Sequence, residues 1–224
     1  MNRLMLLPAL FAAVVLAACD YPAEVSSPLS GPGPAPYDER LVGTWYVIGG
    51  SDETGVATLT AAPGDEGTLQ VTGVYVVADE GDEPDDNEVE FAWMNWTAHA
   101  SELDGKTYFN ARLIDSMSLG KETGEPPEFH ESNIFASHPE RGYWIIRPEI
   151  DEAGLLFLNV LWENDLEVEP RVVDCGEGCS FKLLELSPED LAAAIRAAPP
   201  EKVFSTRLGP FARIEGTYPA EWDG

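Results

Sequence analysis

The chain has 224 residues, with 40 acidic against 13 basic side chains and a formal net charge of −27. A surface this acidic repels nucleic-acid phosphates and anionic lipid headgroups, so it argues against both as partners recruited by charge. Apolar residues make up 44% of the chain, with six Trp, seven Tyr and nine Phe, which excludes disorder and suits one domain with a tail or two small domains.

The chain opens with Arg3, an apolar run from Leu4 to Ala18, and then Leu16-Ala17-Ala18-Cys19 closing that run. The run is short of the roughly 20 residues a membrane-spanning helix needs, and Asp20 and several prolines follow at once. It resembles a bacterial lipoprotein signal. The resemblance implies removal of residues 1–18, acylation of Cys19, and attachment to the cell membrane facing the periplasm. Asp20, directly after the cysteine, resembles an inner-membrane retention signal. One acyl chain holds weakly and two or more hold stably, so a multiply acylated Cys19 is the expected link to the lipid bilayer. Residues 19–40 then read as the acylated cysteine and a tether, because Pro22, Pro28, Pro32, Pro34 and Pro36 stand among small polar residues with little to bury. Fully extended at 3.1 Å per residue, such a tether would reach roughly 50 Å.

Residues 41–186 read as a β-domain. Thr44 to Ile48, Val56 to Ala61 and Thr68 to Val77 are strand candidates, the last two separated by the turn-rich Pro63-Gly64-Asp65-Glu66-Gly67. Glu88 to Ala100 and Lys106 to Ile114 form the clearest hairpin, turning at Asp104-Gly105. Tyr143 to Ile150 with Leu155 to Trp162, and Val168 to Val173 with Ser180 to Leu186, make two more. The expected fold is mainly β, an antiparallel meander closing as a lipocalin-like barrel or a β-sandwich, with one short C-terminal helix. That helix begins at Ser187-Pro188-Glu189-Asp190, which supplies an N-cap, a proline at the first helical position and acids in the first turn. Leu191, Ile195 and Ala198 share one face, and Pro199-Pro200 end it. Residues 187–224 are thus a helix and a tail, with Val203, Phe204, Leu208, Phe211 and Ile214 apolar enough to dock.

Leu41-Val42-Gly43-Thr44-Trp45-Tyr46 resembles the Gly-x-Trp opening of lipocalin-like barrels. The resemblance implies that Trp45 caps one barrel end with a late basic residue packed over it, for which Arg213 is the candidate. It also implies a long helix after the last strand. The order of Phe91-Ala92-Trp93, His99 to Asn110, Tyr143-Trp144-Ile145-Ile146 and the Ser187 helix is similar to uncharacterised bacterial envelope proteins, and implies no activity.

The strand from Glu88 to Ala100 is apolar on both faces, unlike a strand with one wet side. Either its second face is covered by the helix or tail, or it lines a cavity. The cavity reading makes Trp45, Phe91, Trp93, Trp96 and Asn95 the candidate ligand-binding residues. Cys175 and Cys179 flank a short turn and, after export, read as a disulfide across a hairpin tip contributing about 2 kcal/mol. The acidic stretch from Asp79 to Glu88 reads as a solvated loop. Weak Ca²⁺ binding there is the one cofactor it could offer, without EF-hand spacing.

The catalytic inventory is thin. His99, His130 and His138 are the three histidines, His130-Glu131 lacks a second histidine four positions after the first, and there is no Gly-x-Ser-x-Gly elbow. The expected function is therefore a non-catalytic binding or interaction module, partnered by the bilayer and an envelope protein. A lipocalin-like carrier of a small apolar ligand is the alternative, and a hydrolase the third reading.

Overall fold

A computed structural model describes residues 23–31, 37–48, 55–79, 88–119, 141–162, 165–176, 179–199 and 202–214. The lipoprotein-like signal with Cys19 and Asp20, the acidic residues 80–87, and His130 and His138 lie outside these residues.

Eleven strands are described: β1 (Glu24–Val25), β2 (Gly43–Val47), β3 (Gly55–Pro63), β4 (Thr68–Asp79), β5 (Glu88–Leu103), β6 (Lys106–Leu119), β7 (Trp144–Ile150), β8 (Leu156–Val160), β9 (Arg171–Gly176), β10 (Cys179–Leu184) and β11 (Thr206–Arg213). One α-helix, α1 (Pro188–Ala197), stands between β10 and β11, and 3-10 turns occupy Glu39–Leu41 and Asp65–Gly67. Strands β2 to β8 pair antiparallel with their sequence neighbours, and β11 pairs with both β8 and β2. The result is a closed eight-stranded barrel rather than a sandwich.

Local chemistry sets the hairpins. Asp104 and Gly105 take φ of 52° and 73°, and the ladder runs up to Leu103 opposite Lys106. Two left-handed residues in a two-residue loop match the twist of paired strands, and Asp-Gly tolerates that conformation best. Between β7 and β8, one Asp151 carboxylate oxygen accepts from the backbone N–H groups of Ala153 and Leu155 at 2.9 and 2.8 Å. Helix α1 starts as its sequence requires: Ser187 Oγ accepts from the Asp190 N–H at 3.1 Å, and Leu191 and Ile195 are buried.

Three segments depart from the sequence expectation. The hairpin β9–β10 does not join the meander but forms a separate three-stranded sheet with β1. The tail does more than dock, since β11 is the strand that closes the barrel. Gly209 and Pro210 hide its strand pattern, and the ladder to β8 skips them with a bulge between Leu208 and Phe211. The helix accordingly precedes the last strand, where the lipocalin resemblance places one after it.

The third departure is the expected tether. Ala23, Glu24 and Val25 are buried, β1 runs parallel to β10, and Val25 exchanges backbone hydrogen bonds with Tyr143. Glu24 forms a buried ion pair with Arg141 and also accepts from the Gly142 N–H at 2.9 Å. The isolated Ala-Glu-Val triplet is too short to read as a strand in sequence, because its partners lie more than 100 residues away.

Two cores result. Alternate residues of the barrel strands fill the interior, with Trp45, Leu69, Trp96, Phe109, Leu156 and Phe211 among them. The opposite face of β5, β6 and β7 contributes Leu103, Tyr108 and Ile145 to a second core, closed by Val25, Leu184 and Leu191. The end of β5 is thus apolar on both faces, with Ala100 inside the barrel and Leu103 under the excursion between β8 and β11. Asp165, itself buried, ties the ends of that excursion together. It accepts from the Trp162 N–H at 2.7 Å, the Phe204 N–H at 3.1 Å and the Ser205 hydroxyl at 2.6 Å.

Glu24→Ala should lower stability by about 3 kcal/mol in urea unfolding, since it removes the carboxylate from a buried ion pair and the acceptor of the Gly142 N–H. A segment serving only as a tether would leave the urea midpoint unchanged. The helix supplies a second expectation. Arg196 binds Asp104 through two hydrogen bonds, 2.9 and 3.1 Å long, and these hold the Asp104 carboxyl below its ordinary pKa. A depressed carboxylate stabilises the fold above its unfolded pKa and loses that contribution as pH falls through the folded value. NMR titration of the Asp104 carboxyl should therefore give a midpoint below the usual range in the parent, moving upward in Arg196→Gln.

Candidate functional site

One barrel end is formed by the start of β2 and the end of β11. Gly43 takes φ of 139°, a backbone conformation that side-chain-bearing residues rarely adopt. This turns the chain into β2 and places Trp45 in the interior at 2% exposure. The Trp45 indole N–H donates to the Leu41 carbonyl at 3.0 Å. Arg213 stands across the ladder from Trp45, its guanidinium carbon 5.9 Å from the ring centroid, and it donates to the Val42 carbonyl at 2.8 Å. The arginine over the tryptophan is thus present, and the pair seals this end with the 3-10 turn Glu39–Leu41.

Of the five candidate ligand residues, the interior brings together Trp45 and Trp96. Trp96 packs against Trp144 with ring centroids 5.8 Å apart. Its indole N–H is buried without a hydrogen-bond partner among the described residues. Gly73 makes room for this ring: a Cβ there would lie 3.0 Å from it. Asn95 is on the outer face, where it accepts from the Thr72 hydroxyl at 2.7 Å and donates to Asp115. Trp93 shares the face of Asn95 by the two-residue period of a strand, opposite Val74. The Phe91 side chain lies outside the described residues.

His99 is buried, with Nε2 2.7 Å from the Ser30 carbonyl. Next to it Asn110, fully buried, donates to the Ser101 hydroxyl and the His99 carbonyl and accepts from the Leu29 N–H at 2.7 Å. Ser30 and Ser101 share a hydrogen bond of 2.6 Å. These groups spend their hydrogen bonds on holding residues 29–30 against the barrel wall. Cys175 and Cys179 belong to the paired strands β9 and β10, with Gly176 opposite Cys179, while their side chains lie outside the described residues. Among the described residues no group of three His, Cys, Asp or Glu side chains could hold a metal, and no helix is long and apolar enough to cross a membrane.

One cleft escaped the sequence reading. The ladder between β6 and β7 stops at Phe109 opposite Ile146, although both strands continue beyond it toward the Trp45 end. The cause is Pro148. Ile145 directs its carbonyl to the Leu161 N–H on the β8 side, so by alternation residue 148 faces β6, where proline has no N–H to give. The strands splay, and a cleft of about 500 Å³ opens between them beside the 3-10 turn. Leu41, Phe109 and Ile150 supply its apolar surface, while Arg40, Lys106 and Arg147 stand against Asp38 and Glu149. Asp38 is taken up by Arg40 at 2.6 Å, and hydrogen bonding to that guanidinium holds its carboxyl below the ordinary value. Glu149 lies 3.6 Å from Arg207. Arg147 stacks over Phe204 at 5.4 Å rather than facing a carboxylate. A proline inside an otherwise regular β-hairpin was the one signal of this gap in the sequence.

No protein-family model, curated protein or solved structure matches the chain.

Gly73→Ala should cost about 1–3 kcal/mol in thermal or urea unfolding, because the new methyl presses on Trp96 in a packed interior. An unchanged midpoint would mean that the Trp96 ring has free space to move into.

Proposed function

We propose that this protein is a lipid-anchored, non-catalytic binding module of the cell envelope. It is held by an acylated Cys19 on the inner membrane, facing the periplasm. The observation that supports a binding role is the cleft in the wall of the closed barrel, where Leu41, Phe109 and Ile150 lie beside three basic side chains. An envelope protein is the partner class that the anchoring favours.

The burial of Ala23 changes the geometry of anchoring. Four residue steps separate it from Cys19, and a chain spans at most about 3.5 Å per step, so roughly 14 Å of reach is available instead of roughly 50 Å. In this reading the barrel rides close against the bilayer. The acyl chains offset whatever repulsion its acidic surface meets there.

A carrier of a small apolar ligand is the second reading. It is favoured by the Trp96 N–H, which is buried in the barrel without an acceptor and would be satisfied by a ligand oxygen.

Metabolic labelling with palmitate in the native host should mark the parent and not Cys19→Ser, and fractionation should recover the parent with inner membrane. An unlabelled parent overturns the anchor, and recovery with outer membrane overturns the retention role of Asp20. Native mass spectrometry of gently extracted protein then separates the two binding readings: a stoichiometric protein supports the interaction module, and a retained small molecule supports the carrier.

A further inference from the structure

We propose that the cleft between β6 and β7 binds a small organic anion, a carboxylate or phosphate monoester carrying a compact apolar group. This deepens the binding-module reading and rests on it.

The argument begins with charge. The chain carries only 13 basic residues against 40 acidic ones, and three of those bases line this one cleft. Arg147 is bonded to the Tyr108 phenol and stacked on Phe204, and Lys106 feels the Asp104 carboxylate, so the carboxylates of the cleft itself leave both without a close ion pair. Arg40 is held by Asp38, and Glu149 has Arg207 beside it, whereas Lys106 and Arg147 have no carboxylate within ion-pair distance among the described residues. Charges beyond about 8 Å are largely screened at physiological salt, so the field in the cleft is set by its own three bases and two carboxylates, an excess of one positive charge on an otherwise acidic chain.

Shape and polarity agree with this. The two strands part because Pro148 cannot continue the ladder, so the opening is built into the backbone. Its floor is apolar, with Leu41 and Phe109 buried and continuous with the barrel core. Phe204, packed on Tyr108 at 5.4 Å, also carries the Arg147 guanidinium over its ring, which fixes the arginine at the edge of the cleft. A guanidinium and an ammonium on the outer side of the opening, with Leu41 and Phe109 on its inner side, match an anionic head on an apolar body. The site lies at the Trp45–Arg213 end of the barrel, away from the loops that join the opposite strand ends.

The test uses the full chain in dodecyl maltoside micelles, titrated with benzoate and with phenyl phosphate, and with benzamide as the neutral counterpart. Backbone amide NMR should show saturable shifts at Leu41, Lys106, Thr107 and Arg147, with benzamide at least tenfold weaker. Lys106→Gln and Arg147→Gln should each weaken the anions at least fivefold, and added salt should weaken them further. Lys106 is exposed, so its variant remains informative even if removing Arg147 from Phe204 unfolds the protein. Tighter binding of one anion identifies the phosphate or the carboxylate as the physiological head. Equal binding of benzamide, the absence of saturable shifts, or parental affinity in Lys106→Gln would overturn the proposal. A protein that takes up palmitate yet fails this titration loses the anion site and keeps the anchored module. One that binds the anion without taking up palmitate does the reverse.

Discussion

The pairing of β11 with both β8 and β2 is the constraint on which the rest of the structure depends. A seven-stranded meander has two open edges, each a row of unpaired backbone donors and acceptors. The eighth strand removes both edges, and the inward-facing residues then share one enclosed volume. The same closure brings Arg213 beside Trp45, so the seal at one end follows from the last strand arriving in register with the first. Asp165 gathers the chain leaving β8 and the chain approaching β11, which sets where that strand begins.

Closure also divides the molecule into an inside and an outside. The wall formed by β5, β6 and β7 is apolar on both sides, and its outer face would be wet without the excursion and the segment around β1. The parallel contact of β1 with β10 and the buried Glu24–Arg141 pair fasten that segment to the wall. A chain that reads as a spacer thus becomes part of the fold. The cleft by β6 and β7 comes from the same wall, at the point where a proline interrupts an otherwise continuous ladder.

Legibility in the sequence followed the range of the contacts. Asp104-Gly105, Asp151 to Gly154 and Ser187-Pro188 act on residues within a few positions, and each turn or cap formed as its chemistry requires. The Gly43-Thr44-Trp45 triplet and the distant Arg213 were also legible, though only through resemblance to a known barrel type. Asn95 was not. Its place on the outer face depends on which side of β5 turns inward, and a strand apolar on both faces does not declare that. The anion cleft was equally hidden, because it needs the registers of β6, β7 and β8 together to show where Pro148 faces.

The sequence by itself determined the strands joined by local turns, the capped helix and the acidic charge balance. These rest on composition and on interactions between near neighbours. Only the tertiary structure decided that the sheet closes, that β9 and β10 leave it, that residues 23–31 are built into the wall, and that Lys106 and Arg147 share a cleft. Each of those outcomes joins residues from distant parts of the chain. Their energies come from burial and pairing that exist only once the barrel has closed.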